Sequence, residues 1–166
     1  IITGSDIQIN NAYASDDITG LGNEAVALTN PSAESVFLNF IDSKTTGIID
    51  ASLITRVFGI ASDINIAYAS DDITGLGNED VTLDDLTVDA SVLNILDTNT
   101  TGGINADSVT TIEGFASDIN IAYASDGISK TNNLGTEAVT LMDSTVDASV
   151  LNILNNNTTG TINADS

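Results

Sequence analysis

The chain contains no cysteine and no histidine. The first absence rules out disulfides and thiolate metal sites. The second removes the commonest general base and the imidazole metal ligand. Cations are nearly missing as well: Lys44, Arg56 and Lys130 stand against 24 acidic residues, for a net charge of -21. Phosphates are bound by Lys and Arg, so nucleic acid is excluded as a partner. An anionic membrane surface is a poor partner for the same reason. No apolar run reaches the length of a membrane helix, so no membrane insertion is expected. The opening residues IITGSD lack the basic region and the shape of a signal peptide, and read as cut from a longer chain.

Tryptophan is also absent, and there are only four Phe, three Tyr and one Met. With 42% hydrophobic residues a core still forms and disorder is not expected. That core must come from many small Ile, Leu, Val and Ala side chains. The large negative charge keeps the chain soluble but repels it from itself at low salt. High ionic strength shortens the screening length, and divalent cations neutralise locally. A secreted, extracellular or cell-surface setting is therefore expected.

What the chain does have is repetition. The triplet YAS begins at Tyr13, Tyr68 and Tyr123, 55 residues apart each time. The stretch ASDINIAYASD at Ala61–Asp71 returns letter for letter at Ala116–Asp126. ITGLGNE occurs at Ile18 and Ile73, and a third copy at Ile128 reads ISKTNNLGTE with three inserted residues. TTG sits at Thr45, Thr100 and Thr158, and TVDASVLNIL at Thr87 and Thr145. Three units follow: residues 1–52, 53–108 and 109–166, forming one continuous stacked body. The closing TINADS matches GINADS ending at Ser108, and the opening IITG resembles TIEG at Thr111. Two arrangements fit this phase match: an array that continues on both sides, or subunits that stack head to tail.

Within a unit the spacing of Val88, Val92, Leu93 and Leu96 predicts a helix over Val88–Thr98, capped by Thr87 or Asp89. In the first copy Asn30 reads as the cap, with Pro31 at the first helical position. A shorter helix begins after Ser117, with Ser117 as cap and Asp118 in the first turn, where the helix dipole favours an acid. DVTL at Asp80, GGIN at Gly102 and VTTIE at Val109 read as short strands. The halves starting at Val81 and Val109 look like distant copies of about 28 residues. Short elements of this kind bury their apolar sides only by stacking. The fold class expected is α/β, an elongated, solenoid-like repeat of short strands and short helices. Separate globules, one per unit, would be marginal at that size.

The acidic pairs Asp16–Asp17, Asp71–Asp72 and Asp84–Asp85 are the candidate metal ligands. Calcium wants six to eight oxygens from carboxylates, carbonyls and water. The pairs recur at one phase and precede turn residues, but the third copy has Asp126–Gly127 instead. The competing reading is a solvated loop with helix-capping acids. DTNTTG at Asp97–Gly102 has oxygens at alternate positions but lacks the later glutamate, and reads as a helix-ending turn. The NTT and NNT triplets at Asn99, Asn156 and Asn157 match or resemble glycosylation acceptors. GLGNE is no phosphate loop, since no Lys follows it, and reads as a tight turn using Gly at positive φ. No His, Cys or Lys lies near the abundant Ser and Asp to activate a nucleophile, and identical units offer no single distinguished site, so no enzyme and no catalytic residue is expected. The threonine patches are too sparse for an ice-binding face.

ASDINIAYASDDITGLGNE, TVDASVLNIL and NTTGGINADSVTTIEG together resemble the repeats of very large, acidic surface proteins of cyanobacteria and other marine bacteria. The resemblance covers essentially the whole chain. It implies secretion and a role at the cell surface, in adhesion or motility, and it implies no catalytic or ligand residues. The first copy departs most, with Phe37, Phe40, Arg56 and Phe58 at positions where the other copies differ. The expected function is that of a structural repeat protein of an extracellular filament, sheath or layer. Its partners would be copies of itself or neighbouring repeats. The alternative is the stalk or binding module of a calcium-dependent adhesin, with an exposed face for cell-surface glycan. The tyrosines Tyr13, Tyr68 and Tyr123 are expected in the core rather than on such a face.

Overall fold

A computed structural model describes residues 1–128 and 134–165. Lys130 and most of the three-residue insertion of the third copy fall outside the described residues. Among the described residues the fold is mixed α/β, with three four-stranded sheets and no closed barrel. The chain runs β1 (Ile2–Gly4), α1 (Asp6–Ala14), β2 (Val26–Leu28), β3 (Ser32–Glu34), α2 (Ser35–Lys44), β4 (Ile49–Asp50), β5 (Arg56–Gly59) and α3 (Ala61–Ala69). It continues through β6 (Ile73–Thr74), β7 (Asp80–Leu83), β8 (Thr87–Asp89), α4 (Ala90–Asn99), β9 (Ile104–Asn105), β10 (Thr111–Gly114) and α5 (Ala116–Ala124). The last described elements are β11 (Ala138–Leu141), α6 (Ala148–Asn157) and β12 (Ile162–Asn163).

Every strand pairing among the described residues is parallel. The sheets have the orders β1-β2-β4-β6, β3-β5-β7-β9 and β12-β11-β10-β8. Each sheet aligns one column of apolar side chains in register. The first column is Ile2, Val26, Ile49 and Ile73. The second is Ala33, Val57, Val81 and Ile104. The third is Val88, Ile112, Val139 and Ile162. Alternation within a strand puts these residues inward and residues such as Thr82 and Thr140 at the partly exposed surface. β-branched residues suit such a pleated, half-buried surface, which is how strands of two to four residues hold together without aromatic bulk.

The helices are too short to stand alone. Each packs against the one before and the one after it, from α1 to α6. Their buried positions are three apart: Ala61, Ile64 and Ala67 in α3, and Ala90, Leu93 and Leu96 in α4. Alanine occupies both ends of the α3 stripe and the start of the α4 stripe. On the opposite side, Ile66, Ile95, Ile121 and Ile153 each stand about half exposed at the sixth position of their helices.

Several sequence expectations shift by a few residues. Val88 belongs to β8, and the long helix starts at Ala90 with Asp89 as its cap, accepting from the Ser91 and Val92 amides. Asn30 and Pro31 do not start a helix; β3 intervenes, and α2 begins at Ser35 behind Glu34, whose side chain makes no cap bond. Ser117 lies inside α5, which starts at Ala116 behind Phe115. Ser5 is a true cap, with Gln8 completing a capping box on α1. Thr55 and Thr110 each bond to a carbonyl 24 residues back, the step between most hydrogen-bonded strands, while across the third-copy insertion Thr111 pairs with Ala138. Among the described residues, 1–52 contribute strands to two sheets, 53–108 to all three and 109–165 to one. β3 from residues 1–52 joins β5, β7 and β9 from 53–108, and β8 joins β10, β11 and β12.

Candidate functional site

The GLGNE loop and the TTG turn are far apart in sequence and meet in space. In the second copy Gly75 and Gly77 take φ of +89° and +123°, which turns the loop back and points two amides inward. Glu79 Oε2 accepts from the Gly77 amide at 2.7 Å and the Asn78 amide at 3.2 Å. Tyr68 Oη donates to the same oxygen at 3.1 Å. Thr100 then donates its hydroxyl to the Glu79 carbonyl at 2.7 Å and accepts from the Gly102 amide at 3.0 Å. The Thr101 amide donates to the Gly77 carbonyl at 2.9 Å. The result is a clamp that fastens the turn after one helix onto the loop after the previous one.

The clamp recurs. Glu24 accepts from Gly22, Asn23 and Tyr13, with Thr45 and Gly47 in the turn. Glu137 accepts from Gly135 and Thr136, with Thr158 and Gly160. The turn glycine is fixed by space rather than by φ. A Cβ on Gly102 would lie 2.2 Å from the Glu79 carbonyl oxygen, and one on Gly47 would lie 2.3 Å from that of Glu24. The amide of Gly22 is the chief group that holds the Glu24 carboxyl below its ordinary range. Burial raises Tyr68 well above the usual phenol range, with the Glu79 charge adding to it. Burial, with the Glu137 charge, pushes Tyr123 up to about 12. The three tyrosines, expected in the core, pack partly buried against it.

A second recurring device caps the short helices from a distance. Asp85 Oδ2 accepts from the Ala61 amide at 2.8 Å, and Asp143 Oδ2 from the Ala116 amide at 2.7 Å. At the matching position Asn30 Oδ1 accepts from the Asp6 amide at 3.1 Å. These amides are orphan donors at helix starts, so one side chain of the following strand region completes each helix. Asp85 is partly buried there, which raises its pKa. A third device joins helices. Asn39 and Asn94 donate to the carbonyls of Asp63 and Asp118, 24 residues on.

The candidate metal ligands fall in separate places. Asp16, Asp17, Asp71, Asp72 and Asp84 are exposed, while Asp85 serves its helix cap. The Asp17 and Asp72 amides donate to Ser15 and Ser70 hydroxyls, which makes these loops serine-braced turns. Among the described residues no three acidic side chains converge on a point that would hold a metal ion, and no pocket opens at the surface. DTNTTG is a helix end: α4 closes at Asn99, and Asp97 Oδ2 accepts from the Ser125 hydroxyl at 2.7 Å. Phe40 of residues 1–52 and Phe58 of residues 53–108 each meet a cation. Lys44 Nζ stands 5.0 Å from the Phe40 ring centre and the Arg56 guanidinium 5.6 Å from that of Phe58.

Sequence reasoning missed the buried glutamates, the turn threonines and the long-range caps. All recur at one phase of the unit, and that recurrence was the available signal. In comparisons with family models, curated proteins and solved structures, nothing matches the chain.

Proposed function

We propose that the chain is a structural repeat protein of an extracellular or cell-surface filament, sheath or layer. In this reading it is an elongated, solenoid-like stack of three units, residues 1–52, 53–108 and 109–166, whose partners are copies of itself or neighbouring repeats. The observation that carries the reading is the recurring clamp. The tyrosine, the glutamate, the paired glycines and TTG of the first two copies, and Glu137, Gly135 and TTG of the third, are spent on fastening one turn of chain to the next. A repeat built this way adds length by adding identical joints. The acidic exterior supplies a hydrated, self-repelling coat that salt screens.

Electron microscopy of the native material, with calcium and again after a chelator, tests this reading. Filaments or layers with an axial repeat matching the stacked units support it. Compact isolated particles under all conditions defeat it. A second reading, the stalk of a calcium-dependent adhesin that meets glycan elsewhere, is favoured by the exposed Asp16–Asp17 and Asp71–Asp72 loops. It is chosen if chelator softens or shortens rods that never polymerise.

A further inference from the structure

The row of helices has an outer face. Positions one, four and seven of α3, α4 and α5 are buried, and positions two, six and nine, on the opposite side, are exposed. Position six is Ile66, Ile95, Ile121 and Ile153 in α3 to α6, exposed to 57%, 53%, 56% and 53%. In α2 it is Phe40, half-buried. Consecutive helices pack side by side, so these side chains line up across five helices. Small neutral residues surround them: position two is serine in all of α3 to α6, and position nine is alanine, threonine or asparagine. Single exposed isoleucines need no explanation, whereas a row of them on adjacent helices marks a contact surface.

The charge of the chain is kept off this face. The net charge is -21, yet among the described residues no exposed acid lies in α1 to α6. Exposed acids such as Asp16, Asp72, Asp84 and Asp107 stand in the connections between elements. The acids inside the helices are turned aside. Asp42 and Asp97 accept from the Ser70 and Ser125 hydroxyls, and Asp63 and Asp118 lie half-buried in first turns. Lys44, at the end of α2 beside Phe40, is the one exposed charge on the six helices. A cationic partner is drawn to the acidic connections rather than to this row, and a second acidic chain is repelled from those connections.

We propose that this outer helix face binds the same face of a second copy of the chain, isoleucine row against isoleucine row. Three properties of the face select that occupant. It is neutral, so two strongly acidic chains meet there with the least repulsion. Its isoleucines recur once per helix, about 8–10 Å apart, with small residues between them. A copy of the row displaced by half a step therefore sets each isoleucine into the furrow between two helices of the other copy. Its size also suffices: five helices at that spacing, each about 14 Å long, give roughly 600 Å² a side. That reaches the lower edge of specific interfaces, about 1,200 Å² in total, and fits a concentration-dependent pair. Like faces meet, so the contact is isologous and closes on itself. Acids border the face, so association strengthens with salt. The pairing goes beyond the filament reading: it concerns the side of the chain rather than its length, and each stands without the other.

Sedimentation of the unmodified chain over a range of concentration and salt tests the pairing. A species of twice the 17.1 kDa chain is expected, growing with concentration and with salt. Ile95→Ser combined with Ile121→Ser takes two isoleucines from the middle of each row and should weaken association at least about tenfold. Helix content by circular dichroism should hold, because both side chains are already half exposed. Leu53→Ser, similarly exposed but outside the helices, should leave association unchanged. The chain has no cysteine, so a spin label on Ser117→Cys reports the face alone. It should lose mobility as the pair forms, while the same label on Leu53→Cys keeps its mobility. Should the double serine variant lose helix content, these labels decide. If the double variant associates as the unmodified chain does, or the Ser117→Cys label stays mobile in the associated species, the pairing is overturned. A chain that stays monomeric at every concentration and salt overturns it too, and leaves the face to a partner of another chemistry. The filament reading is decided separately, by microscopy of native material.

Discussion

Residues 87–93 and 145–151 read TVDASVL in both places. Their helices begin at the same letter, at Ala90 and Ala148, and the aspartate before each accepts from the serine amide two residues on. The strands and the burial differ. Thr87–Asp89 is a strand next to β10, and Leu93 is fully buried. Thr145–Asp147 is not a strand, and Leu151 is half-buried. Capping is a local bond that the sequence carries with it, whereas a strand and a buried leucine need a neighbour. The comparison separates what seven residues specify from what the next turn of chain adds.

The largest test is a pair of truncations. Leu93→Ala should cost about 3 kcal/mol in denaturant unfolding, because the cavity cannot collapse. Leu151→Ala should cost about 1 kcal/mol, because its side chain loses only part of a buried surface. Equal costs would mean that the third copy is as well packed as the second. Gly102→Ala, which drives a Cβ into the Glu79 carbonyl, should cost about 2–3 kcal/mol. Gly160→Ala meets the Glu137 carbonyl in the same way but sits in the last turn, so the backbone can yield and thermal unfolding should shift less.

Alkaline titration gives a smaller effect. Tyr68 and Tyr123 have raised pKa values, so the unfolded chain loses these protons first. Stability should be intact below pH about 10 and fall as pH rises towards 12, by linkage. Tyr68→Phe should flatten that fall more than Tyr123→Phe, as read by unfolding at a series of pH values. Smallest is the cap. Asp89→Ala and Asp147→Ala should lower the melting temperature slightly and to the same degree, since both bonds are local. A clear difference between them would break the separation of local from non-local effects.

The period, the two kinds of helix and the turn role of GLGNE were legible because each is written in adjacent residues. Asp89 stood beside Thr87 as a candidate cap for the same reason, while the tyrosines, expected in the core, lie half-buried against it. Asn30–Pro31 misled: Pro31 fits a helix start, but Asn30 caps α1 from a distance, and Pro31 leads into β3. Asp85 looked like half of an acidic pair, and its partner, the Ala61 amide, lies 24 residues away. No local pattern encodes that distance.

The sequence by itself determined a repeated α/β chain of small apolar residues, acidic and without thiol or imidazole chemistry, because composition and period are properties of the letters. Only the tertiary structure decided that the strands run parallel in three sheets with steps near 24 residues, and that Glu79 and Gly102 meet. The physical reason is that such pairings are contacts between distant residues, and their geometry follows from how far the chain must travel through a helix before it returns beside itself.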